Sequence, residues 1–159
     1  MTLRALFLDC DGVVAPFSST YRTRAQALDG RLVRRVARFV EQHDLTVVLA
    51  STWRYEVGLG ATVQLLAAAG WPQAPQRMQF VTPVLLNATR GEEISAWLAA
   101  VDNVEAFVIF DDADPGDLAP VAAYQVVVNN RVGLTAEDVV TAAAVLRRQR
   151  GVKLPPPKD

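Results

Sequence analysis

The sequence predicts an α/β fold: a parallel five-stranded sheet with helices on both faces. Two observations predict it. Runs rich in apolar and β-branched residues alternate along the chain with stretches whose apolar residues recur at helical spacing. The first run, Leu3 to Leu8, is almost unbroken in its apolar character, which suits a strand covered on both sides. At 159 residues the chain has room for one domain with a sizeable core, expected over residues 1–150.

The elements follow in order. The first strand, Leu3–Leu8, stops on Asp9-Cys10-Asp11-Gly12, where Gly12 can take the positive φ of a tight turn. Residues 13–28 read as irregular: Pro16, a Ser-Ser-Thr cluster, and Tyr21, Arg22 and Arg24 suggest a loop or flap over the end of that strand. Asp29 is a fair N-cap for a helix over Gly30–His43, with Leu32, Val33, Val36, Phe39 and Val40 on its core face. Arg31, Arg34, Arg35 and Arg38 fall largely on the other face and read as a solvated surface rather than a substrate patch. Leu45–Ala50 is the second strand and ends at Ser51-Thr52-Trp53-Arg54, where Trp53 is expected to pack against the sheet edge. Ala61–Ala69 is a helix rich in Ala and Leu, closed by Gly70 with Pro72 beyond. Gln73–Arg77 reads as loop and Met78–Val81 as a short third strand.

Thr89-Arg90-Gly91-Glu92 matches a capping box and opens a helix over Arg90–Ala100, with Ile94, Trp97 and Leu98 inward. Ala106–Phe110 is the fourth strand, running into Asp111-Asp112-Ala113-Asp114, and Tyr124–Val128 is the fifth. Asp114 to Asp117 is most simply a surface turn. Thr135 to Asp138 caps a last helix that ends near Gln149, and residues 151–159 are expected to form a flexible tail.

Composition removes several functions. Cys10 is the only cysteine, so no intramolecular disulfide forms, and His43 is the only histidine, which excludes a His-based zinc cluster or a Ser-His-Asp triad. A cysteine-phosphatase loop needs an arginine soon after its cysteine; Cys10 is followed by Asp-Gly-Val-Val-Ala-Pro and reads as buried filler. A net charge of −1 gives no general drive towards nucleic acid or membrane. With no apolar run of spanning length and no leader-like start, the expectation is a cytoplasmic protein.

The polar candidates share one rim. Asp9 and Asp11 follow the first strand, Ser51 the second, and Asp111 and Asp112 the fourth; Arg90 opens a helix on the same edge. Open parallel sheets bind ligands beyond the carboxyl ends of their strands. Three or more carboxylates about one point repel unless a cation joins them, and oxygen ligands without His or Cys favour Mg²⁺. A hydroxyl and an arginine beside such a centre suit a phosphoryl group. A carboxylate can attack phosphorus, and a second one two residues on can serve as general acid and then base.

Asp9-x-Asp11, Ser51, Arg90 and Asp111-Asp112, each in this setting, resemble the four motifs of the haloacid dehalogenase (HAD) superfamily, over nearly the whole chain from Leu3 to about Leu146. Ser51-Thr52-Trp53-Arg54, Arg90-Gly91-Glu92-Glu93-Ile94 with Trp97-Leu98, Ile109-Phe110-Asp111-Asp112 and Gly133-Leu134-Thr135 narrow the resemblance to the small HAD domains grouped with Swiss Army Knife RNA repair proteins. The resemblance implies a three-layer Rossmann-like sheet of strand order 5-4-1-2-3. It implies that Asp9 is the nucleophile and becomes an aspartyl-phosphate, that Asp11 is the general acid and base, and that Ser51 and Arg90 bind the phosphoryl group. Asp9, Asp112 and the Asp11 carbonyl would bind Mg²⁺, with Asp111 as a further ligand or its support. Close relatives often carry a third consecutive aspartate; here that place is Ala113, and Asp114 follows. Neither residues 13–28 nor residues 52–89 leave room for a cap domain, so an open site is expected. That suits a phosphatase of macromolecular substrates such as a nucleic acid end. The alternatives are a phosphatase of small phosphorylated metabolites and a non-catalytic binding module on the same fold.

Overall fold

A computed structural model describes residues 2–17 and 23–149. Tyr21, Arg22 and the expected tail at 151–159 lie outside the described residues. The sheet has five parallel strands: β1 (Leu3–Leu8), β2 (Thr46–Leu49), β3 (Met78–Val81), β4 (Val104–Asp111) and β5 (Gln125–Val127). Their order is β3-β2-β1-β4-β5, the predicted order read from the other edge, so β1 is central.

Alternation along the strands builds two cores. Leu6 and Leu8 point to one face with Val47, Leu49, Val108 and Phe110; there they meet α2 (Gly30–His43), α3 (Leu59–Ala68) and α6 (Ala136–Arg148). Ala5 and Phe7 point to the other with Val48, Phe107 and Ile109, against Ile94 and Trp97 of α5 (Arg90–Ala100). Phe7 lies edge-on to both Trp97 and Phe107, with ring centroids 5.4 and 5.7 Å away. Burial of apolar side chains on both faces is what holds three layers together.

Several element boundaries differ from the expectation. A short helix, α1 (Arg24–Ala27), stands inside the segment predicted irregular; Thr23 and Gln26 close it with a reciprocal capping box. The helix after β2 begins with a π-helical turn over Arg54–Gly58 and continues as α3, so it starts well before Ala61. Residues Ala74–Arg77 form a single turn, α4, held by burial of Ala74. At α5 half of the predicted capping box forms: Thr89 Oγ1 accepts from Glu92 N at 3.2 Å. At α6 both halves form, between Thr135 and Asp138. Strand β4 starts two residues early and ends on Asp111, because it pairs with β1 from Leu3 onward and with β5 through Asp111.

Candidate active site

The carboxyl ends of β1, β2 and β4 meet at one open cleft of about 370 Å³, lined by Asp9, Asp11, Thr52, Arg90 and Asp112, with Phe17, Thr89, Ala113 and Asp117 at its sides. Each polar group arrives there for a local reason. After Leu8 the chain turns at once: Val13, Val14 and Ala15 all donate to the Cys10 carbonyl, and Gly12 donates to the Ala15 carbonyl. Gly12 has φ +82°, and a Cβ there would overlap the Asp112 carboxylate, so the turn is closed to side chains. Arg90 is the first residue of α5, whose start lies so close to Leu118 and Ala119 that a side chain at Gly91 would overlap their main chain.

Arg90 ties two carboxylates together. Its Nη1 lies 3.2 Å from Asp9 Oδ2 and 2.8 Å from Asp111 Oδ2. Asp9 Oδ1 accepts from Cys10 N at 2.9 Å, and Asp111 Oδ1 accepts from Ala113 N at 2.8 Å. Asp9, Asp111 and Asp112 each place a carboxylate oxygen within 4.8 Å of the others. Burial, then the neighbouring Asp111 charge, pushes the Asp9 carboxyl well above the ordinary aspartate range, and Arg90 only partly offsets this. Burial also raises Asp111 against the pull of Arg90. Burial disfavours the Arg90 cation, but Asp9 and Asp111 outweigh it and raise its pKa. The centre therefore holds more negative charge than one arginine compensates, and a proton or a cation is needed there.

A family model described as the HAD domain in Swiss Army Knife RNA repair proteins matches residues 5–139. The chain belongs to that family. No curated protein matches it.

In this HAD domain the predicted residues take distinct places. Asp9, Asp11, Arg90 and Asp112 line the cleft. Asp111 is fully buried behind Arg90, with both oxygens engaged. Ser51 is also fully buried and does not line the cleft; its Oγ accepts from Trp53 N at 3.1 Å, and its side chain hydrogen-bonds the Cys10 thiol. Asp114 is exposed and turned away, its Oδ1 accepting from Gly116 N at 2.8 Å to cap a 3₁₀ turn over Pro115–Leu118. HAD domains typically use a metal. The Asp9, Asp111 and Asp112 oxygens fit a hard divalent cation, since all are anionic oxygen donors and their charge is under-compensated.

Sequence reasoning missed three features. Thr52, rather than the buried Ser51, brings a hydroxyl residue from the end of β2 to the cleft. Phe17 lines the cleft although half exposed. Trp53, expected to pack at the sheet edge, is buried in the larger core and donates from Nε1 to Asp11 Oδ1 at 3.1 Å. Its only signal in the sequence is its place three residues past the predicted strand end at Ala50, where a tryptophan reads as core by type. No helix of the described residues is long and apolar enough to cross a membrane.

Proposed function

We propose that this HAD domain is a Mg²⁺-dependent phosphatase that works through an aspartyl-phosphate on Asp9. The observation that carries the reading is the Arg90 bridge between Asp9 and Asp111 at the carboxyl ends of β1 and β4. It holds a buried carboxylate beside a cation-seeking cluster, with Asp11 one side chain away on the cleft. Asp9 attacks phosphorus as the bond to the leaving oxygen breaks, and Asp11 gives that oxygen its proton. Water then attacks the phosphorus, Asp11 takes the water's proton, and inorganic phosphate departs as Asp9 is regenerated. Arg90 and the Thr52 hydroxyl, both on the cleft, hold the non-bridging phosphoryl oxygens, and the buried Ser51 fixes the end of β2 behind them. A Mg²⁺ ion held by Asp9, Asp112 and the Asp11 carbonyl, with Asp111 in support, would offset the phosphoryl charge.

The substrate we favour is a terminal phosphate on a nucleic acid or another macromolecule. The cleft is open and, among the described residues, the chain between β1 and α2 adds only the four-residue helix α1. A second reading, a small phosphorylated metabolite, is favoured by Phe17, which brings an apolar wall to the cleft from that same segment. The test is phosphate release from 5′- and 3′-phosphorylated oligonucleotides and a panel of small phosphate esters, with Mg²⁺ or EDTA. Magnesium-dependent release that disappears in Asp9→Asn is expected, fastest on the oligonucleotides. Release that survives Asp9→Asn would refute the mechanism, and preference for a small ester would select the second reading.

A further inference from the structure

Asp11 does not join the Asp9, Asp111 and Asp112 oxygen cluster, although it lies closest in sequence to the nucleophile. Something holds its carboxylate elsewhere. Trp53 is among the largest fully buried side chains, and its Nε1 lies 3.1 Å from Asp11 Oδ1 across 42 residues of chain. Burial alone does not impose such a bond here: Trp71 is equally buried, and its Nε1 has no partner. Trp53 is fixed at both ends. Its backbone N–H donates to Ser51 Oγ at 3.1 Å, and the Arg24 guanidinium stacks over its ring, 5.4 Å from the centroid. Arg24 is in turn paired with Glu56, one turn beyond Trp53.

We propose that Trp53 is a positioning residue for proton transfer, its indole N–H fixing which oxygen of Asp11 serves the reaction. An indole N–H only donates, so Oδ1 must remain an acceptor. The proton given to the leaving oxygen is therefore carried on Oδ2, the oxygen left to the cleft that Asp11 lines. When the phosphorus–oxygen bond breaks, its electron pair goes to the leaving oxygen, the Oδ2 proton follows, and Trp53 keeps its own proton. Through Arg24 and Glu56 the same indole ties α1 to the acid–base residue. The inference rests on the phosphatase reading above.

The test compares kcat/KM for an alkyl phosphate, whose leaving oxygen needs a proton, with that for p-nitrophenyl phosphate, whose leaving group needs little help. Wild type, Asp11→Asn and Trp53→Phe are measured together. Asp11→Asn sets the signature, a fall in the alkyl-to-aryl ratio, and Trp53→Phe is expected to lower that ratio by about 10–100-fold, within the range of general acid contributions. A general packing defect would slow both esters alike and leave the ratio unmoved. Because Trp53 is buried, a second variant carries 3-benzothienylalanine at position 53, which keeps the ring volume and lacks the N–H. It is expected to lower the ratio as Trp53→Phe does. A ratio at the wild-type value in both variants, while Asp11→Asn lowers it, overturns the role of Trp53 and leaves the phosphatase reading standing. Absence of turnover by wild type on both esters and on phosphorylated oligonucleotides, themselves alkyl phosphates, overturns both.

Discussion

At the scale of single residues, Gly12 shows how tightly the site is drawn. Its φ of +82° and the Asp112 carboxylate in the place a Cβ would take leave no room for a side chain. Gly12→Ala is expected to push Asp112 out of the cation cluster and to weaken Mg²⁺ binding by about 10–100-fold, read by titrating activity or protein stability with the metal. An unchanged metal affinity would mean that Asp112 is not a ligand. The cleft positions of Asp9, Asp11 and Asp112 were legible in the sequence because charged residues stand where a buried apolar run stops, and that of Arg90 because it opens a helix on the same edge. Trp53 was not, because an indole reads as core by type, and the fact that it shares its N–H with Asp11 depends on how β1 and β2 lie side by side. Ser51 and Thr52 were separable only by burial: in sequence both are hydroxyls at one strand end, and in the fold Ser51 is fully buried while Thr52 lines the cleft.

At the scale of elements, the rim is held by Arg54. Its guanidinium donates to the Ser51 carbonyl at 2.8 Å, to Thr82 and Pro83 carbonyls at 3.0 and 3.2 Å, and pairs with Glu93 at 2.9 Å. These bonds join the ends of β2 and β3 to α5, the helix that carries Arg90. The pair is almost completely buried, with side-chain exposures of 4% and 11%, so neither partner can be solvated alone. Glu93→Ala is expected to cost about 3–5 kcal/mol, measured by denaturant unfolding, because it strands a buried cation and leaves the Leu85 N–H without its acceptor. A cost under about 1 kcal/mol, as for a surface pair, would contradict that role. The helices and strands were legible wherever a periodic pattern ran long enough, as in α2 and α5. Short helices escaped it, although the four-residue strand β3 did not. α1 and α4 are single turns set by a cap and by one buried alanine, and the start of α3 is set by bonds made by Arg54, all of them tertiary. Gln149 is a similar case: its side-chain amide pairs with the Phe107 N–H and C=O, extending the β4 ladder beyond the reach of β5, and no local pattern announces that.

At the scale of the whole molecule, the fold concentrates negative charge at the centre of its sheet, and its stability should report this. The folded, metal-free protein holds the Asp9 and Asp111 carboxyls above the ordinary value of 3.8, so it binds protons more tightly than the unfolded chain does. Its stability is therefore expected to fall as pH rises from about 4 through the raised folded values. On the proposed reading Mg²⁺ takes the place of those protons, so the stabilisation on adding Mg²⁺ should be small in acid and grow towards neutral pH, approaching about 2.7 kcal/mol at a hundredfold excess over Kd, with Tm rising in step. Thermal melts across this range, with Mg²⁺ or EDTA, check both trends; a metal effect independent of pH would place the ion elsewhere. The central claim is that a phosphoryl group passes through Asp9. The most direct measurement is an acid quench of the enzyme turning over a phosphate ester labelled in its phosphoryl group, followed by peptide mapping of the protein-bound label. The label is expected on Asp9 of the wild type. It should persist longer in Asp11→Asn with an aryl ester, because that variant lacks the base that activates water. Turnover with no label on the protein, or label on another residue that survives Asp9→Asn, would contradict the account.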